Sequence, residues 1–117
     1  MTYTENLRKK EFLWNVMFKI IEKNIYRKEL KSLLKQGKKP QKIFDVITMI
    51  LNNVSQGVEP CLLLPKKYRL HKLIGNYNGL WECHIEPDWV LVFDIDDNAI
   101  ILERTGSHSD IFNKIRR

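Results

Sequence analysis

Two very short polar segments in the second half of the chain constrain its fold most strongly. Glu-Pro-Asp at residues 86–88 and Asp-Asp-Asn at residues 96–98 separate stretches with the apolar content or alternation of β-strands, at residues 80–85, 89–93 and 99–104. Connections this short can join only antiparallel neighbours, because a parallel connection needs a crossover of about a dozen residues or more. The sequence therefore predicts an antiparallel sheet built on these strands.

The first half of the chain has a helical period instead. Apolar residues recur at spacings of three and four in two groups, which are Tyr26, Leu30, Leu33 and Leu34, then Ile43, Ile47, Ile50, Leu51 and Val54. Asn24 has a side chain suited to an N-cap, Gly37 suits the end of the first helix, and Pro40 suits the first turn of the second. We expect one helix over residues 24–37 and another from residue 40 to residues 52–55.

Three weaker signals complete the predicted fold. Residues 17–23 and 68–73 have the composition of short strands, and Ser109 is expected to cap a short helix that runs through Lys114. The fold class is therefore predicted to be α+β, with an antiparallel β-sheet packed against an N-terminal helical pair and a short C-terminal helix.

The length of 117 residues predicts a single domain, which we place at residues 17–117. Residues 1–16 fit this plan badly and are treated as an N-terminal extension of uncertain status. They are either an added helix or the result of an upstream start site, and deletion of residues 1–16 would distinguish the two.

Compartment is indicated by three negative signals. No apolar run approaches the roughly 18 residues of a membrane span, and the first residues lack the basic and apolar regions of a signal peptide. Cys61 and Cys83 are the only cysteines, and two isolated thiols predict buried thiols in a reducing compartment rather than a disulfide framework. The sequence therefore predicts a cytoplasmic protein with no membrane association.

The positive charge is concentrated in the first half of the chain. Residues 1–60 hold 12 Lys and Arg against 6 Asp and Glu, whereas residues 61–117 hold 8 of each kind. A basic half favours a polyanion or an acidic protein as partner, but it is equally compatible with lysines that solvate two amphipathic helices. Charge alone does not decide the function.

All the histidines lie in the second half of the chain, near strand ends or turns. Histidine is the side chain best matched to proton transfer at neutral pH, and an arginine can grip phosphate oxygens. RNA cleavage needs a base for the 2′-hydroxyl, a cation for the phosphate and an acid for the departing 5′-oxygen. The candidate residues are His71, His84, His108, Asp88 and Arg104, with Phe112 or Trp89 as a platform on which a base could stack.

Each candidate also has an ordinary structural explanation. A histidine in a strand is commonly a partly buried structural residue, and Trp89 in an apolar strand is commonly part of the core. Arg104 could pair with Glu103 or Asp88. Histidines and an aspartate could bind a metal, but their spacing matches neither the helical pairs of zincins nor a zinc finger, so no metal site and no cofactor are predicted.

Two ordered motifs then indicate a family. Cys-His-Ile-Glu-Pro-Asp-Trp at residues 83–89 is followed by Arg-Thr-Gly-Ser-His at residues 104–108 and by Phe112, and His-Lys-Leu with a later Gly75 stands upstream at residues 71–73. This arrangement resembles the YafQ branch of the RelE-type bacterial toxins. The resemblance spans residues 17–112 in order and length, although its specific motifs lie within residues 71–112.

The resemblance implies a RelE-like fold and a metal-independent endoribonuclease that cleaves mRNA, typically on the translating ribosome. It also implies the toxin role in a type II toxin-antitoxin system. A cognate acidic antitoxin would hold the toxin inactive, and operator DNA would be reached only through that antitoxin.

Residue roles follow from the same resemblance. His108 is the expected general acid and Arg104 the phosphate clamp, while Asp88, His71 and His84 share the base and positioning work. Phe112 would orient the substrate base, and Trp89 is a second candidate RNA contact with structural support as its alternative. Further RNA contacts are expected from exposed basic residues, namely Lys66, Lys67, Arg69 and Lys72.

The chain also departs from the family pattern. Trp81 stands where the family usually has an arginine, and Leu70 stands where an acidic residue is frequent. Three alternatives therefore stay open: a non-catalytic co-repressor that still binds the antitoxin, a metal-dependent nuclease, and a DNA-binding protein that acts alone. The last is disfavoured because no helix-turn-helix or zinc-finger pattern is present.

Overall fold

The structure, a computed structural model, describes residues 18–96 and 98–112. The strands are β1 (Lys19–Glu22), β2 (His71–Lys72), β3 (Trp81–Glu86), β4 (Trp89–Asp96) and β5 (Ala99–Gly106). The helices are α1 (Asn24–Lys35), α2 (Pro40–Ser55) and α3 (His108–Phe112), and single 3-10 turns occupy Pro60–Leu62, Lys66–Tyr68 and Gly75–Tyr77. The predicted extension at residues 1–16 and the end of the predicted C-terminal helix lie outside the described residues.

The strands form one sheet in the order β1-β5-β4-β3-β2. Strands β2 to β5 are antiparallel neighbours, as the short turns require for β3, β4 and β5, and the predicted α+β fold is confirmed. The sheet is nevertheless mixed, because β1 pairs with β5 in parallel from Lys19 opposite Ala99 to Glu22 opposite Leu102. No tight turn fixes the direction of β1, since both long helices separate it from the rest of the sheet.

Helices α1 and α2 cover one face of the sheet and bury the predicted apolar stripes. Both helices end in the same way: Gly37 and Gly57 adopt positive φ angles of 97° and 77° directly after the capping residue. The amides of Gly37 and Lys38 bond the carbonyls of Leu34 and Leu33, which is the Schellman arrangement that satisfies the last carbonyls of a helix. Gly37 was therefore correctly predicted as the residue that ends α1.

The opposite face of the sheet carries a smaller apolar cluster around Val90, Val92 and Ile111. Glu82 pairs with Val92 and His84 with Val90, so these polar side chains share that face. Cys83 pairs with Leu91 and belongs to the main core, together with the partly buried Trp81 and Ile85. The polar face of β3 thus lies away from the two long helices.

Local signals misplaced some element ends. The α1 helix begins at Asn24, after Lys23, and no side chain caps it. The α3 helix begins at His108, because the Ser107 hydroxyl rather than that of Ser109 accepts the amide of Asp110, at 3.0 Å. Strand β2 is shorter than predicted because a 3-10 turn and the left-handed Arg69, with φ of 52°, precede it.

Two further expectations concern the thiols and the membrane. Cys83 is buried as predicted, and burial raises its pKa to about 12. The prediction that Cys61 is buried is wrong, because it lies exposed on the 3-10 turn Pro60–Leu62. Among the described residues, no helix is long and apolar enough to span a membrane.

A carboxylate ties the helical layer to the sheet. Glu86 of β3 lies 2.7 Å from the Lys38 ammonium and 2.5 Å from that of Lys42 in α2. These two hydrogen bonds lower the pKa of Glu86 to about 2. The three side chains are partly exposed, so we expect them to contribute to the free energy of unfolding as a surface ion pair does, by about 0.5–1 kcal/mol.

Glu86→Gln is expected to lower the free energy of unfolding by about 0.5–1 kcal/mol at pH 7. The folded pKa lies below the unfolded one, so the wild-type advantage is complete above pH about 4.5 and is lost as the pH falls toward 2. Urea unfolding of both proteins at pH 7 and pH 3 measures the difference in their free energies of unfolding. A difference that grows on acidification would contradict the account.

Trp89 is fully buried, and its indole N–H donates to the Thr105 hydroxyl at 2.8 Å. That hydroxyl donates in turn to the carbonyl of Val90 at 2.9 Å. Trp89→Phe leaves a buried oxygen without its donor, and we expect a loss of about 1–3 kcal/mol in the free energy of unfolding. Trp81→Phe serves as the control, because Trp81 is only half-buried, and an equal loss in both variants would refute the role of the hydrogen bond.

Candidate active site

Glu82 is the centre of a cluster that contains every histidine of the chain. Its side chain is 1% exposed, and its Oε1 lies 3.2 Å from Nε2 of His71 and 3.4 Å from Nε2 of His84. Its Oε2 lies 3.7 Å from Nε2 of His108. Strand pairing places His71 directly opposite Glu82, strand alternation places His84 on the same face, and α3 brings in His108.

The histidines differ in their access to solvent. The side chains of His71 and His108 are 50% and 58% exposed, whereas that of His84 is 17% exposed. Glu82 therefore forms the floor of the cluster, with two open imidazoles on its different oxygens. A bound molecule can reach His71 and His108 without displacing the carboxylate.

Hydrogen bonding around this carboxylate is incomplete. Within the described residues, Glu82 Oε2 and His84 Nδ1 are buried and have no hydrogen-bond partner. Buried polar atoms of this kind are rare in folded proteins and are common at functional sites. Nε2 of His108 lies 3.7 Å from Oε2, and a movement of about 1 Å would bring it to the ordinary hydrogen-bond distance.

His71 is held from both sides. Its Nδ1 lies 2.8 Å from the carbonyl oxygen of Arg69, and its Nε2 faces Glu82. A neutral imidazole has one N–H, so His71 can donate to both oxygens only in its protonated form. The left-handed backbone of Arg69 occurs at the residue whose carbonyl accepts this bond.

Arg104 lies in β5 and is held by Glu29 of α1. The guanidinium donates from Nε to Glu29 Oε1 at 2.9 Å and from Nη2 to Oε2 at 2.8 Å. These bonds raise the pKa of Arg104 above its ordinary value. The structural alternative, in which Arg104 pairs with Glu103 or Asp88, is wrong, because Glu29 is its carboxylate partner.

Two aromatic rings connect Arg104 to the histidine cluster. The rings of His108 and Phe112 are 4.5 Å apart between centroids, and Phe112 meets Tyr77 edge-on at 5.1 Å. The Tyr77 hydroxyl lies 3.5 Å from Nη1 of Arg104. The sequence-predicted His71, His84, His108, Arg104 and Phe112 thus form one connected site.

Asp88 stands apart from the histidines but lines the same groove as Arg104. It is exposed in the turn between β3 and β4, and both residues line a groove of about 420 Å³ that continues along Gly106 and Ser107 toward α3. In the part of the chain that the structure describes, no hydrogen bond or ion pair joins Asp88 to a histidine. The structure therefore places Asp88 in the groove that Arg104 lines rather than in the histidine cluster.

The basic residues predicted to contact RNA lie on the surface. Lys66, Lys67, Arg69 and Lys72 are all exposed. Lys67 and Arg69 line a second groove, of about 350 Å³, together with His84. The Lys72 ammonium lies over the Trp81 ring, 5.7 Å from its centroid, so this exposed cation is held against a half-buried aromatic side chain.

The assignment of Trp89 as an RNA contact requires correction. Its side chain is 0% exposed and packs in the main core, where its N–H is bonded to Thr105. No face of the ring is open to a nucleobase, so the alternative of structural support describes Trp89.

Sequence patterns missed three residues of the site. Glu82 had a visible signal, since it alternates onto the face of His84 next to the family motif. Glu29 and Tyr77 had none, because a helical glutamate and a loop tyrosine give no local sign of reaching Arg104.

The described residues contain no group of three or more His, Cys, Asp or Glu side chains arranged to hold a metal ion. At the histidine cluster, the imidazole nitrogens lie at pairing distance from the Glu82 oxygens instead. The absence of a metal from the reaction stays a prediction.

Comparison with known proteins identifies the family. Residues 18–113 match the family model described as bacterial toxin of type II toxin-antitoxin system, YafQ. The mRNA interferase toxin YafQ of Escherichia coli K12 is 34% identical over 87 residues, which are 74% of this chain and 87% of that protein.

Solved structures agree with this result. The Escherichia coli DinJ-YafQ toxin-antitoxin complex matches with a TM-score of 0.70 and 32% identity, over 82% of this chain and 98% of that one. A metal-bound toxin from Helicobacter pylori matches with a TM-score of 0.67 and 33% identity, over 82% of this chain and 100% of that one. The chain therefore belongs to the YafQ family of bacterial toxins of type II toxin-antitoxin systems.

Proposed function

We propose that the chain is the toxin of a type II toxin-antitoxin system and an endoribonuclease that cleaves mRNA without a metal, on the ribosome. Cleavage proceeds by attack of a 2′-hydroxyl on the adjacent phosphate. The observation that supports this most strongly is the convergence of three histidines on buried Glu82, next to an anchored arginine. The relatives named mRNA interferase toxin YafQ support the choice of mRNA as substrate.

His108 is the general acid of this mechanism. It is the most exposed of the histidines, and its Nε2 faces Glu82, which gives a protonated imidazole an opposite charge close by. In the described part of the chain its Nδ1 has no hydrogen-bond partner, so this atom is available to protonate the departing 5′-oxygen.

Arg104 stabilises the charge that develops on the phosphate. Its Nη1 is directed to the Tyr77 hydroxyl, on the side of Phe112 and His108. An arginine fixed before the substrate binds needs no reorganisation during the reaction, which is how preorganised donors lower a barrier. Phe112, partly exposed beside His108, orients the substrate base by stacking.

Asp88 is the preferred general base among the three candidates. Both ring nitrogens of His71 face oxygen acceptors, and Nδ1 of His84 is buried, so neither histidine offers an open nitrogen to the 2′-hydroxyl. The Asp88 carboxylate is exposed in the groove that Arg104 lines. His71 and His84 then act as positioning residues through Glu82.

The partners follow from charge and from the relatives. The net charge of +6 suits RNA and an acidic antitoxin, and a YafQ protein has been solved in complex with DinJ, a toxin-antitoxin complex. The antitoxin holds this toxin inactive in the cytoplasm and provides its only link to operator DNA. The exposed Lys66, Lys67, Arg69 and Lys72 contact the RNA backbone.

Two alternatives have distinct signatures. A non-catalytic co-repressor would bind the antitoxin and leave mRNA intact. A metal-dependent nuclease would lose its activity in EDTA. This alternative is considered because a structurally similar toxin from Helicobacter pylori has been solved in a metal-bound form.

His108→Gln is expected to lower the rate of mRNA cleavage by about 100-fold or more, because it removes the acid while nearly preserving side-chain size. Induction of each protein in bacteria, followed by growth measurements and mapping of new mRNA 5′ ends, tests this. Purified proteins are compared with and without EDTA, and antitoxin binding is expected to remain.

Ser109→Ala is the matched control, because Ser109 is exposed on the same short helix and does not cap it. It should cleave like wild type. Harmless, soluble wild type with intact mRNA would overturn the enzymatic proposal in favour of the co-repressor, and a fully toxic His108→Gln variant would overturn the role of His108.

A further inference from the structure

We infer that Glu29 is a positioning residue for catalysis, which fixes the guanidinium plane of Arg104 toward the phosphate. Glu29 lies in α1, far along the chain from every motif that indicates the family. The inference deepens the proposed function and rests on it, because Arg104 is the phosphate clamp of that mechanism.

Glu29 is bound to β5 by a set of converging hydrogen bonds. Its Oε1 accepts from Arg104 Nε at 2.9 Å and from the amide of Thr105 at 3.2 Å, and its Oε2 accepts from Arg104 Nη2 at 2.8 Å. The two side chains are 21% and 19% exposed. A bidentate, partly buried fork of this kind holds a guanidinium in one plane.

Thr105 is itself anchored in the core. Its hydroxyl donates to the Val90 carbonyl and accepts the indole N–H of Trp89. The frame that orients Arg104 therefore extends from α1 through β5 into β4. Arg104 has little freedom to leave this position while α1 remains packed on the strand.

The fork leaves one edge of the guanidinium for a substrate. Glu29 takes Nε and Nη2, whereas Nη1 lies 3.5 Å from the Tyr77 hydroxyl on the side of the histidine cluster. A phosphate can approach Nη1 without displacing Glu29. The carboxylate thus orients the arginine instead of competing for it.

The opposite role makes an opposite prediction. If Glu29 occupied the place of the phosphate, its removal would free Arg104 and increase the cleavage rate. If Glu29 positions Arg104, its removal slows cleavage, because an arginine misplaced by about 1 Å can lose on the order of 100-fold in rate.

The test is a double-mutant cycle of Glu29→Gln and Arg104→Ala. The measurement is single-turnover cleavage of ribosome-bound mRNA by the full chain, at increasing toxin concentration, with thermal unfolding recorded for each variant. Glu29→Gln should lower the maximal rate by about 10- to 100-fold with little change in the half-saturating concentration. In the Arg104→Ala background the same substitution should have no further effect on the rate, which a purely structural role would not produce.

Glu103→Gln is the control for the change in charge. Glu103 precedes Arg104 in β5, and no ion pair joins the two within the described residues, so this variant should cleave at the wild-type rate. If Glu29→Gln does not fold, Glu29→Asp takes its place in the same cycle under the same criteria.

Two results would overturn the inference: a Glu29 variant that cleaves as fast as wild type or faster, or losses that multiply in the double mutant. Both require a wild type that cleaves. An inactive wild type would overturn the proposed function and the inference with it.

Discussion

The buried carboxylate of Glu82 is the interaction on which the proposed site depends. A charge taken out of water is strongly unfavourable unless donors or cations surround it, and here the surroundings are the imidazoles of His71, His84 and His108. One acidic side chain therefore draws together residues from β2, β3 and α3. The same arrangement leaves the side chains of His71 and His108 open to solvent, and in the proposed mechanism His108 delivers the proton to the substrate.

Arg104, on the other side of the site, is likewise held in place by a carboxylate. Its orientation depends on Glu29 and Thr105, and Thr105 is tied to Trp89 in the core. A buried tryptophan and a helical glutamate thus help to hold Arg104, the proposed phosphate clamp, although no hydrogen bond or ion pair joins either of them to a histidine within the described residues.

Local patterns predicted the parts of the structure that local chemistry determines. The short turns correctly predicted β3, β4 and β5, and Gly37 correctly predicted the end of α1, because these features depend on residues that are neighbours in the sequence. The parallel pairing of β1 and the Glu29–Arg104 fork could not be predicted, since each joins segments about 75 residues or more apart whose contact depends on the packed fold. The family motif supplied His71, His84 and His108, but it did not reveal that Glu82 lies between them or that Trp89 faces the core.

The most direct test of the central role of Glu82 is the cleavage rate of a Glu82→Gln variant. Glutamine preserves the shape but removes the charge that holds the imidazoles, so we expect a loss of about 100-fold or more in single-turnover cleavage with antitoxin binding retained. A crystal structure of the variant would show whether the histidines separate. Cleavage at the wild-type rate by a folded Glu82→Gln protein would contradict the account.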